Sequence, residues 1–243
     1  MNEQYEPRPT RPWPPAFTST LKPWEAILMI AYLPVHIYLL PLLITRFFPA
    51  VASSLTQLNF VVYVVGVLFT LIVAGRFLRR DFDPLCDSFF RIILEIIICY
   101  GLMIGFNVIV NMLLLAAAPD TNPNNATVME MAGVEFGKTA ALAIFMAPLV
   151  EEVIFRGGIF GSLRKWNRVL AYTVSALLFA FYHVYSYAIQ DPAYWLYILQ
   201  YIPVSLLLCR CYERCNTIWA SIFFHMLVNG ISIQALSLLE DLL

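Results

Sequence analysis

Charge is what this sequence has least of. Of its 243 residues only 13% are Asp, Glu, Lys or Arg, while 60% are hydrophobic. A soluble domain carries about 25% charge, so too little polar surface exists here to cover a water-soluble globule. With a mean hydropathy of +0.74, the lipid bilayer is the natural solvent. The net charge of −1 leaves no basic field, which excludes a nucleic-acid partner. Cysteine is scarce too. Five residues without paired spacing exclude a disulfide framework. Cys209, Cys211 and Cys215 have no histidine near them in sequence to complete a zinc set. They read as apolar fillers or as acylation sites at a membrane interface. No short signal-like apolar stretch opens the chain: the one after Glu25 runs to Phe48 and reads as a retained helix.

What is present is a series of long apolar runs. They fall near 25–48, 58–78, 91–118, 136–158, 168–188, 194–210 and 217–239, each close to the roughly 20 residues that cross hydrocarbon as a helix. The runs are continuous and do not alternate, which favours helices over a barrel. The expectation is an all-α polytopic transmembrane bundle of about seven spans, six to eight. Residues 1–22 are polar and rich in proline, which predicts an extended cytoplasmic tail. Residues 23–243 then form one membrane domain. Seven spans place 12 Lys and Arg residues on one side of the membrane and only Arg46 and Lys138 on the other. That asymmetry predicts a cytoplasmic N-terminus and a multi-pass plasma-membrane protein, with a bacterial source suggested by short loops.

Ionisable residues inside such runs cost at least ~2.5–3.5 kcal/mol each on insertion scales, so they read as functional. Glu151-Glu152-Val153-Ile154-Phe155-Arg156 sits in the fourth run, Phe179 and His183 in the fifth, and His225 and Asn229 in the last. Glu152 and Arg156 are four apart and share a helix face, so they can pair. Glu151 is rotated about 100° away and is free for another partner. His225 and Asn229 also share a face. Pro148 removes a helical amide just before the acidic pair, and Gly157-Gly158 reads as a close-packing point. Glu95, four residues from Arg91, reads as a snorkelling pair near the cytoplasmic face. One carboxylate, two imidazoles and an amide from three spans suit hydrolysis. The carboxylate takes a proton from water, and the donors stabilise an oxyanion. The same groups also suit a non-catalytic packing cluster in a scaffold or immunity protein, or a proton relay in a transporter.

Taken in order, Glu151-Glu152-x-x-x-Arg156, Phe179-x-x-x-His183 and His225-x-x-x-Asn229 resemble the three motifs of the CPBP family, the CAAX-prenyl proteases and bacteriocin-processing or Abi proteins. The resemblance covers residues from about Gly133 to Asn229. It implies an α-helical intramembrane endopeptidase acting on a membrane-associated protein or peptide. Glu151 would be the water-activating base and His183 its partner. His225 and Asn229 would form the oxyanion site, and Glu152, Arg156 and Phe179 would support them. The family is described both as glutamate-type and as metal-dependent. A metal-free site is the preferred expectation, because Asn229 beside His225 suits oxyanion donation. Zinc held by Glu151, His183 and His225 is the alternative. Counted from the helix starts, His225 lies roughly 12 Å deep and His183 roughly 22 Å deep, a mismatch that the fold must resolve.

Overall fold

The computed structural model describes residues 14–117 and 122–240, and the fold is all-α with no strand among them. The helices are α1 (Pro23–Phe47), α2 (Leu55–Arg80), α3 (Phe82–Asp87), α4 (Phe89–Ala117), α5 (residues 123–164), α6 (Arg168–Ala188), α7 (Ile198–Cys215) and α8 (Ile218–Glu240). Among the described residues six helices are long and apolar enough to cross a membrane: α1, α2, α4, α6, α8, and α7 with the 3-10 turn Pro192–Tyr197 that leads into it. Their outward faces are greasy. Ile72, Phe90 and Leu115 are 82%, 85% and 89% exposed, a surface that hydrocarbon covers and water does not. The chain is an integral, multi-pass membrane protein.

The expected span at 136–158 is helical but differs from the rest. Glu151, Glu152 and Arg156 lower its hydropathy, and residues 150–161 are all buried. This stretch of α5 is the centre of the bundle, with α1, α2, α6 and α8 packed round it. α6 lies on α7, and α7 and α8 both lie on α4.

Local sequence explains where these helices start and bend. Asn122 Oδ1 accepts from the Asn124 amide at 3.0 Å at the head of α5, and Asn167 Oδ1 accepts from Leu170 at 2.9 Å at the head of α6. Each satisfies an amide that has no partner within the helix. The π-helical turns at Val35–Leu39 and Ala141–Met146 come just before Pro41 and Pro148. A proline ring crowds the carbonyl four residues back, and a wider turn relieves it. A third wide turn, Val153–Phe160, carries Gly157 and Gly158. A Cβ at Gly157 would meet Leu21 at 3.2 Å, and one at Gly158 would meet Ile30 at 3.2 Å. At these two glycines α1 and the segment before it approach α5 closely.

Two features depart from the sequence reading. The described part of the N-terminal segment is extended but is no loose tail. Leu21 and Ser19 are buried, and Asn216 Oδ1 accepts from the amides of Thr18 at 2.6 Å and Ser19 at 2.8 Å. Residues 1–13 of the expected tail lie outside the described residues. Glu95 is reached across the bundle, by Arg210 at 2.9 Å and Arg214 at 3.0 Å. Sequence spacing within one helix could not reveal those partners. The three clustered cysteines are buried, which fits fillers and not acylation sites, whereas Cys86 is exposed.

The bundle has two unlike ends. Arg76, Arg79, Arg80, Arg91, Arg164, Lys165, Arg168, Arg210 and Arg214 lie at one, where α2, α5 and α7 finish and α4, α6 and α8 begin. The start of α5 and the turn 189–197 lie at the other.

Candidate active site

The residues singled out in three helices converge at mid-bundle. Glu152 Oε1 accepts from Arg156 Nη1 at 3.1 Å, the expected i,i+4 pair, and both side chains are fully buried. Arg156 also donates from Nη2 to Ser205 Oγ at 2.7 Å and to the Ser205 carbonyl at 3.2 Å. Its guanidinium lies 4.3 Å from the centre of the Phe179 ring. The cation therefore ties α5 to α6 and α7 at once. Because Arg156 holds Glu152 as an acceptor, the 2.9 Å contact from His225 Nδ1 to Glu152 Oε1 has the imidazole as donor.

Glu151 faces elsewhere, as its 100° rotation requires. Its Oε1 accepts from the Tyr63 hydroxyl at 2.7 Å, and Tyr63 shares a 2.9 Å hydrogen bond with the Tyr182 hydroxyl. Its Oε2 is buried and has no hydrogen-bond partner among the described residues. The nearest cationic or imidazole nitrogen is His183 Nε2 at 3.7 Å. His183 Nδ1 donates to the Phe179 carbonyl at 2.9 Å, so in the neutral ring the Nε2 lone pair is turned toward Glu151.

The depth mismatch disappears in the fold. Phe179 stands between the two imidazoles, with ring centres 4.4 Å from His183 and 5.7 Å from His225. Two cavities of about 260 and 280 Å³ adjoin here. His183 and Asn229 line both, Glu151 lines only one, and His225 lines only the other. Asn229 uses one amide hydrogen on the Ala143 carbonyl at 2.8 Å, within the π turn that Pro148 imposes, and keeps the second. Glu151 and His183 are thus brought face to face. His225 is held by Glu152 one cavity away.

Among the described residues no three His, Cys, Asp or Glu side chains are grouped so as to hold a metal ion.

Several participants escaped the sequence reading. Tyr63 and Ser205 sit within apolar runs and carry no charge to mark them. His36 lines the Glu151 cavity and packs edge-on against Tyr63, with ring centres 4.7 Å apart. Its place in a span was the available signal. Tyr182 directly precedes His183, but spacing alone does not distinguish it from an interface tyrosine.

Comparison with known proteins supports the motif reading. Residues 135–231 match the family of type II CAAX prenyl endopeptidases, Rce1-like. UPF0177 protein YxdF of Lactococcus lactis subsp. lactis (strain IL1403) is 32% identical over 96 residues, which is 39% of this chain and 48% of its own length. UPF0177 protein YvdC of the same strain is 28% identical over 196 residues, 78% of this chain and 70% of its own. The chain thus spans about half the length of the first relative. No solved structure matches. The matched stretch, residues 135–231, carries all three motifs and is similar to the type II CAAX prenyl endopeptidases, Rce1-like.

Proposed function

We propose that the protein is an intramembrane endopeptidase of glutamate type, cleaving a peptide bond of a membrane-associated protein or peptide. One observation carries the reading. A buried carboxylate oxygen, Glu151 Oε2, has no hydrogen-bond partner among the described residues and faces His183 Nε2 3.7 Å away, at the wall of a cavity. A water between the two would be held by both acceptors and would lose its proton to Glu151. The resulting hydroxide attacks the scissile carbonyl carbon. The oxyanion is placed toward the free amide hydrogen of Asn229, which lines both cavities. The proton on Glu151 then passes to the leaving amine as the C–N bond breaks. His225 joins as an oxyanion donor only as the doubly protonated imidazolium, because its Nδ1 is committed to Glu152; Glu152 at 2.9 Å supports that charge. Arg156 and Phe179 are positioning residues. No step needs a metal ion, and chelators are expected to leave cleavage unchanged.

The basic residues gathered at one end orient that end to the cytoplasm, and a bacterial plasma membrane suits the relatives. The test is cleavage of membrane peptides by purified protein. Glu151→Gln is expected to lower kcat by about 10²–10⁴-fold, the usual worth of a positioned base, with the melting temperature in detergent preserved. Retained cleavage in that variant refutes the mechanism. A packing or immunity role predicts the opposite pattern, lost stability with the biological effect intact.

A further inference from the structure

The cavity on the His225 side has an unusual lining. Asn107 and Asn111 reach it from α4, Asn122 and Asn124 from the head of α5, and Gln200 from α7. No Asp, Glu, Lys or Arg is among the described residues that line it. Carboxamides within a lipid-immersed bundle need partners. Here several hold one another. Gln200 Nε2 donates to Asn111 Oδ1 at 2.8 Å, and Asn122 Nδ2 donates to Gln200 Oε1 at 2.6 Å. Asn122 also donates to the Tyr201 hydroxyl at 3.1 Å, and the Tyr201 ring stacks on His183 with ring centres 4.6 Å apart. The amide chain thus leads to the imidazole that faces Glu151. Asn107, half-buried in the same wall, makes no hydrogen bond to any described residue.

All of these side chains come from the end of the bundle opposite the arginines. Asn122 and Asn124 open α5, Gln200 is in the first turn of α7, and Asn111 is in the last two turns of α4. A peptide backbone offers alternating donors and acceptors, and a carboxamide offers one of each. An amide wall therefore suits an extended strand whatever its side chains, while a charged side chain would enter a low-dielectric chamber with no counter-ion.

We infer that this chamber is the substrate channel: an extended, uncharged peptide segment enters it from the extracytoplasmic face and reaches His183 and Asn229, which line it together with the adjoining cavity that Glu151 faces. The inference rests on the proposed protease reading for the fate of the peptide, but not for its binding.

Two measurements test it. In the first, full-length Asn125→Cys protein is treated with a membrane-impermeant maleimide, in intact cells and in inverted vesicles. Asn125 is exposed at the chamber mouth. The native Cys86, exposed at the basic end, is the internal control. The expected result is labelling at 125 in cells and at Cys86 in inverted vesicles. The reverse pattern overturns the direction of access.

In the second, full-length Glu151→Gln protein in detergent is titrated with a fluorescein-labelled peptide of Ala, Val and Ser, read by anisotropy. Gln200→Ala and Asn107→Ala, each made in that background, are expected to weaken binding about three- to tenfold, the worth of one hydrogen bond. Asn107→Ala breaks no bond of the fold, so its effect does not report misfolding. A central Lys or Asp in the peptide is expected to weaken binding further. No binding, or binding indifferent to both variants and to charge, overturns the channel. Binding as expected together with a wild-type protein that cleaves nothing would sink the protease reading and leave the channel standing.

Discussion

Arg156 shows most plainly how one residue organises the site. It is fully buried, yet it bonds Glu152 and Ser205 and lies against Phe179. Removing one member of a buried pair strands the other charge, at about 3–5 kcal/mol. Glu152→Leu is therefore expected to destabilise the protein far more than Glu151→Gln, read as the melting temperature in detergent. Adding Arg156→Met to that variant is expected to restore much of the loss without restoring cleavage, because the stranded charge is gone while Phe179 and His225 lose their anchors. A double variant no more stable than Glu152→Leu alone would show that the pair matters for something other than charge compensation. The adjacent Glu151 has other partners: one oxygen accepts from Tyr63, and the second, which like Glu152 Oε2 has no hydrogen bond among the described residues, lies 3.7 Å from His183 Nε2. Two neighbouring glutamates thus differ in role because 100° of helix rotation sends them to different partners.

At the scale of the element, α5 is the part on which the others converge, and its shape comes from the non-helical break at Glu135, from Pro148 and from the paired glycines. Gly157 and Gly158 face Leu21 and Ile30 at 3.2 Å from where a Cβ would stand. Ala at either position asks a flexible side chain to give by a few tenths of an ångström and is expected to be tolerated. Gly157→Val adds branches with nowhere to go. It is expected to push the segment around Leu21 off the bundle, read as lowered thermal stability and faster proteolysis near residues 14–22. Unchanged proteolysis would place the contact outside the fold's needs. The helices themselves were legible in sequence, since continuous apolar runs and their breaks mark spans directly. So was the pairing of Glu152 with Arg156, because i,i+4 spacing is a local geometry. What crosses between helices was not. Tyr63 on Glu151, Ser205 on Arg156 and Arg210 on Glu95 depend on which faces meet. The split of the site into two adjoining cavities has the same origin: spacing places His225 and Asn229 on one face but does not say that Glu152 claims the imidazole.

For the whole molecule, the point where distant parts of the chain are tied together is Asp81, at the basic end beyond the close of α2. Its carboxylate accepts from the Ser19 hydroxyl and from the Ile218 amide, the latter at 3.0 Å, and its carbonyl accepts from Thr217 Oγ1 at 2.7 Å. Tyr212 donates to the Ser19 carbonyl, so the N-terminal segment, α2, α7 and α8 share one knot. The charged neighbour is Arg80, 3.4 Å away and largely in solvent, which makes it a weak counter-ion. Burial outweighs these hydrogen bonds and holds the Asp81 carboxyl above its ordinary value of 3.8. The folded protein therefore keeps this proton at pH values where the unfolded chain has lost it. By linkage, the contribution of Asp81 to stability is greatest in acid, declines as pH rises from the ordinary value through the raised one, and is flat above that. Asp81→Asn keeps the shape and removes the proton equilibrium. The difference in melting temperature between wild type and Asp81→Asn, followed in detergent from about pH 4 to about pH 8, is expected to shift in favour of the variant as pH rises and then level off. Taking the difference cancels the carboxylates common to both proteins. A constant difference across that range would mean that Asp81 titrates alike in the folded and unfolded chains, its hydrogen bonds offsetting its burial.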